Sequence, residues 1–167
     1  MTLRAGLVLV LALVLQAAFV AEMEVFGAHG EVLLLVPIVA ALTSGPERGA
    51  TAGFVAGIAI DLLVQTPFGL TALTYCLVGY AVGAFQSGVL RASWWLPLLA
   101  AVAGSAVGTV LFALTVTVVG DVSAVNGDLP RIVLAVVVWN VVLIGPALRL
   151  ARWVEAGGDQ PALRLRA

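Results

Sequence analysis

One histidine, one cysteine and nine carboxylates are the groups with which this chain could do acid–base, nucleophilic or metal chemistry. Their positions do not assemble any of it. A serine hydrolase needs a base within hydrogen-bond reach of its nucleophile, and His29 lies in a polar connection with no second catalytic group beside it. A carboxylate pair needs two buried acids, whereas Asp61 alone falls inside an apolar run. Cys76 is single, which excludes an intrachain disulfide, and no Cys/His cluster exists for zinc or haem. With no lysine in the chain there is no GxxxxGK[ST] phosphate loop, and no apolar segment carries the row of polar residues that lines a channel. The residues read as a protein without catalytic chemistry, cofactor or metal. A pI near 5.7 leaves no basic patch for nucleic acid.

The polar residues inside apolar runs point instead to helix packing. Gly49, Gly53 and Gly57 form one i, i+4 stripe, and Asp61 continues it. Gly79 and Gly83 repeat the spacing further on, as do Gly104 and Gly108. Small residues four apart let helix backbones approach in a membrane, where packing and interhelical hydrogen bonds replace the hydrophobic drive. These stripes are expected either to pack against one another or to accept a partner's transmembrane helix. A charge at the bilayer centre costs about 2.5–3.5 kcal/mol, so Asp61 is expected to face the bundle. Gln16, Thr71 and Thr74 fall at a similar depth, and Asp61 is expected to bond to one or more of them and lock helices 1, 3 and 4 together. Asn140, near the middle of the last span, is expected to bridge helices at about 1 kcal/mol. His29 reads as a solvated loop residue.

The elements that carry these residues follow from composition. The chain has 167 residues, 62% hydrophobic and 10% charged, with a mean hydropathy of +1.16. Soluble domains carry about 25% charged residues, so this surface would not stay in water. A span takes about 20 residues, and six use roughly 120, which leaves no room for a separate soluble domain. The expected all-α bundle has helices over 5–21, 32–44, 49–65, 70–90, 94–119 and 131–150, in one transmembrane domain 1–150 followed by a cytoplasmic tail 151–167. The first run reads as a retained helix; Phe19 or Val20 occupies the place where a signal peptide would need a small residue. The second is interrupted by Pro37, and Gly145-Pro146 is expected to kink or end the last. Arginine distribution sets orientation. With both termini in the cytoplasm, Arg4, Arg48, Arg91, Arg149, Arg152, Arg164 and Arg166 fall inside and only Arg131 outside. Glu22, Glu24, Glu31, Asp121 and Asp128 then lie outside, and Trp94, Trp95 and Trp153 sit at the inner interface.

The block Pro46-Glu47-Arg48-Gly49 through Gly53-Phe54, Gly57 and Asp61-Leu62, then Pro67-Phe68-Gly69-Leu70-Thr71 and Tyr75, on to Val78-Gly79-Tyr80-Ala81-Val82-Gly83, resembles the rod shape-determining protein MreD family of the bacterial inner membrane. The likeness covers about 40 residues of helices 3 and 4, and Arg4 and Gln16 suit the family's first helix. It implies a non-enzymatic member of the cell-elongation complex, working with MreC, the MreB cytoskeleton, and the glycosyltransferase and transpeptidase that build lateral wall. A packing scaffold fits: glycine-lined helices that accept a partner's single helix, with inner loops around Arg48 and Arg91 meeting cytoplasmic partners. The family is similar in architecture to the substrate-binding subunits of energy-coupling-factor vitamin transporters, which is the alternative reading. Their Ala-x-x-x-Ala docking motif has its counterpart here only in Ala17 and Ala21, at the outer end. Thr71, Thr74, Tyr75, Thr115 and Thr117 make a thin set for a ligand pocket.

Overall fold

The computed structural model describes residues 3–22, 32–63, 69–89, 95–118 and 129–156, with side chains placed over 6–16, 32–63, 69–86, 95–118, 129–154 and 156. His29, Glu24, Glu31, Arg91, Trp94, Asp121, Asp128, Arg164 and Arg166 lie outside the described residues, as do the side chains of Arg4 and Glu22.

All described secondary structure is helical. Helix α1 is Leu3–Glu22; a 3₁₀ turn, Val32–Leu34, leads into α2, Leu35–Ser44; then come α3, Pro46–Asp61, α4, Leu70–Val89, α5, Leu96–Val118, and α6, Leu129–Ala156. Leu96–Val118 and Leu129–Val154 are long and apolar enough to cross a membrane, and Gly6–Gln16, Val32–Ser44 and Leu70–Gln86 are shorter apolar stretches.

The shortest α-helix sits at the centre. α2 is apolar around its circumference, as a helix buried on all sides must be, and it packs against α3, α4, α5 and α6. Leu33, Leu34 and Ile38 are fully buried and join Tyr75 and Val78 of α4, Ala101 of α5, and Val136 and Ile144 of α6 in one core cluster. Outside this core the helices present large apolar side chains to the surroundings, among them Val14 of α1, Leu77 of α4, Leu114 of α5 and Val142 of α6. An apolar outer surface on every long helix is the arrangement that a hydrocarbon solvent selects.

Several boundaries differ from expectation. α3 begins three residues early because Pro46 occupies its first position, where a missing N–H costs nothing. It ends at Asp61, with 64–68 outside the described residues. Pro37 does not break α2; it lies in the first turn, where N–H groups have no partner within the helix. α6 runs on through Pro146 to Ala156, so the first six residues expected in the tail are helical. A proline ring removes one i→i−4 bond, and the helix tolerates it beside Gly145, around which nothing lies within 4 Å of an added Cβ.

α2 and α3 are joined by one residue. Gly45 has φ +88°, a conformation that side-chain-bearing residues rarely adopt. Its N–H donates to the Ala41 carbonyl at 3.0 Å, and its own carbonyl accepts from the Gly49 N–H at 3.0 Å. This single left-handed residue turns the chain and sets Gly49 back against Ala41.

Candidate functional site

The glycines of α3 and α4 are used on each other. A Cβ at Gly53 would collide with the Tyr75 backbone, at Gly57 with Ala72, at Gly79 with the Gly49 carbonyl, and at Gly83 with Pro46. At Gly49 it would stand 2.6 Å from the Ala41 Cβ and 2.7 Å from the Gly79 oxygen. The two stripes therefore interlock as an antiparallel pair, backbone to backbone. Gly104 and Gly108 of α5 serve differently: an added Cβ would meet Ile38 Cδ1 at 2.9 Å and Leu34 Cδ2 at 3.0 Å, so these glycines make room for side chains of α2 and of the 3₁₀ turn before it. The glycines of α3 and α4 are thus taken up by the contact between these two helices. Of the two uses expected for them, packing against one another is the one these contacts display.

Four polar clasps tie the helices together. In the first, the carboxylate of Asp61, 5% exposed, accepts the N–H of Gly69 at 2.9 Å and of Ala72 at 3.3 Å through Oδ2. The first N–H groups of a helix have no internal acceptor, and here the end of α3 supplies one to the start of α4. Gly69, at φ +97°, gives the backbone the turn that aims its N–H at the carboxylate. The expected bonds from Asp61 to Thr71 and Thr74 are not formed: the Thr74 hydroxyl donates to the Leu70 carbonyl at 2.9 Å, and the buried Thr71 hydroxyl has no partner. Asp61 is also the last residue of its helix, not one turn inside it. The acid is held by backbone because a chain reversal places α4's open N–H groups beside it.

Gln16 makes the second clasp. Its Oε1 accepts from the Val32 N–H at 2.8 Å and the Leu33 N–H at 3.3 Å, capping the start of the central helix from α1. The third was missed in the sequence: Gln86 of α4 donates from Nε2 to the Leu42 carbonyl at 2.7 Å, near the other end of α2. The central helix is thus held at both ends by a glutamine from a neighbour. The fourth joins α6 to α5, where fully buried Asn140 donates from Nδ2 to the Ser105 hydroxyl at 2.7 Å. Asn140 Oδ1 has no partner. Ser105 was also missed, although its place between Gly104 and Gly108 marked it as facing a close neighbour. Gln86 carried a signal too, being an amide at the end of an apolar run.

Arg48 stands exposed in the first turn of α3 beside Glu47, with its carbonyl accepting from the Thr51 hydroxyl at 3.1 Å. Tyr75 is buried in the core. The arrangement holds helices at fixed distances, and its polar groups are used mostly on backbone. The chain's match to a family model then assigns it: residues 2–154 match the rod shape-determining protein MreD. The chain belongs to the MreD family. MreD proteins are bacterial membrane proteins of rod-shape determination, a shape-determining structural family associated with MreC and MreB. Comparison with curated proteins and with solved structures gives no match.

Proposed function

We propose that this chain is a non-enzymatic scaffold of the cell-elongation complex. In this reading it crosses the inner membrane six times with both termini in the cytoplasm and holds the transmembrane helix of MreC. The architecture would then be that of the substrate-binding subunits of energy-coupling-factor transporters, without their transport role. The MreB cytoskeleton and the lateral-wall glycosyltransferase and transpeptidase would be met directly or through MreC. The observation that carries the reading is the family match over residues 2–154. The four clasps and the interlocked α3–α4 pair support it, because a scaffold needs a fixed surface and these contacts fix one. No observation favours the transporter reading.

Depletion of the protein in its rod-shaped host, with restoration from a plasmid, tests the assignment. Rods should round on depletion, and MreC should co-purify with the restored protein. Unchanged cell shape together with loss of MreC from the purified material would reject the scaffold.

A further inference from the structure

The outer ends of α3 to α6 are flush, and the inner ends are not. Heights along the bundle follow from side-chain contacts and the helical rise of about 1.5 Å per residue. Val82 of α4 meets Gly104 of α5, and Ser105 of α5 meets Asn140 of α6. Outward from that level, α4 begins about 18 Å away, α5 ends about 21 Å away and α6 begins about 18 Å away. Asp61, the last residue of α3, stands beside the start of α4. Inward, α4 and α5 continue for about 11–12 Å, to Val89 and Leu96, and α6 goes further. α3 does not keep pace. Its Pro46 abuts Gly83, so the α2–α3 hairpin turns about 9–11 Å short of its neighbours.

The exposed side chains change character at the same two levels. Glu47 and Arg48 of α3 are exposed and stand level with Tyr80 of α4, because Gly49 abuts Gly79. Tyr80 is one turn from Cys76 and from Gly83, both set against α3, so it lies on the α3 flank. On the α5 flank of the same helix, Phe85 follows by two turns the Val78 that meets Gly108, and it is 76% exposed. α4 therefore carries an interfacial phenol on one side and, about 7–8 Å nearer the cytoplasm, a bare apolar ring on the other. From Arg48 to Asp61 α3 rises about 20 Å, whereas α5 offers about 33 Å to a hydrocarbon layer about 30 Å thick. A short element is met by thinning of the bilayer, by snorkelling or by oligomerisation. Arg48 leans toward the helix start and so toward the cytoplasm, which covers part of the gap.

We propose that the inner leaflet dips by about 9 Å along the α3 edge, bringing phospholipid headgroup phosphates to Arg48 and Tyr80, while it keeps full height beside α5 and α6. Tyrosine favours the headgroup level, a guanidinium pairs with phosphate through two N–H groups, and Glu47 takes the water that headgroups carry. A tilted bundle does not account for the offset, since tilt displaces the outer ends as well. The proposal rests on the spanning topology given above, and it makes the chain a wedge that is thin on one side.

The test uses the full-length chain with Cys76→Ser, reconstituted in vesicles of phosphatidylethanolamine and phosphatidylglycerol, with one nitroxide spin label at position 80, 107, 73 or 114. Val107 is exposed on α5 within about 2 Å of the level of Tyr80, and exposed Leu73 and Leu114 make the corresponding outer pair. Depth is read from collisions with oxygen against those with a soluble neutral nickel complex. The label at 80 should lie about 9 Å shallower than the label at 107, with 73 and 114 matched. Nickel carried on a lipid headgroup should relax the label at 80 and not that at 107. Equal depths at 80 and 107 overturn the dip. So does an equal offset between 73 and 114, which means a tilted bundle. Relaxation of 80 by the soluble complex alone means a water-filled crevice, and dipolar broadening there means a second copy on this edge; either result overturns the dip. Free collision of all four labels with the nickel complex overturns the spanning topology itself.

Discussion

Asp61 shows how one side chain does different work from what its burial suggests. An intramembrane acid invites thoughts of proton transfer, yet this one accepts two backbone N–H groups from the beginning of the next helix. Asp61→Asn keeps an oxygen acceptor of the same shape and should lower the unfolding midpoint only slightly. Asp61→Leu strands buried N–H groups and should cost about 1–3 kcal/mol, seen as a clearly lower midpoint in detergent. Equal midpoints for the two variants would mean that the cap is not what holds this corner. That Asp61 needed a partner was legible from hydropathy. Which partner it takes was not, because capping depends on a chain reversal that brings residue 69 beside residue 61, and only the folded backbone shows that.

At the scale of elements, space decides more than polarity. Gly53→Ala and Gly79→Ala each force a methyl into a neighbouring backbone, which cannot move aside as a side-chain tip can. Each should destabilise by about 1–3 kcal/mol or more. Gly145→Ala has open space and a helical backbone, so it should be neutral or gain about 0.5–1 kcal/mol. Thermal scans of the purified variants check all three signs, and equal effects would dismiss the interlock. Leucine at Gly53 or Gly83 reports on folding and so cannot report on partner docking. The stripes themselves were readable from i, i+4 spacing, but their mates were not: spacing marks a close approach without saying which backbone approaches. The clasp by Gln86 escaped notice for a related reason. A glutamine near a helix end looks like an ordinary boundary residue until the Leu42 carbonyl is found beneath it.

For the whole molecule, the helical membrane class followed from composition alone, since 10% charge cannot cover a water-facing surface. Most helices were placed within two or three residues. The exceptions were the end of α3, which stops at Asp61, and the continuation of α6, which runs on through Pro146 to Ala156. Orientation rests on the arginines. A fluorescent protein that folds only in the cytoplasm should light up when fused after Ala167, and alkaline phosphatase fused in the connection between α5 and α6 should be active outside. The opposite pattern would refute the proposed orientation.

The one-residue joint at Gly45 bears on how the protein is made. Two helices that share a single connecting residue cannot be handed to the membrane one after the other, because no slack chain exists to park the first while the second emerges. α2 and α3 must enter as a closed hairpin, with Glu47 and Arg48 kept at its tip. The central helix of the bundle therefore arrives already paired with the surface on which α4 will interlock.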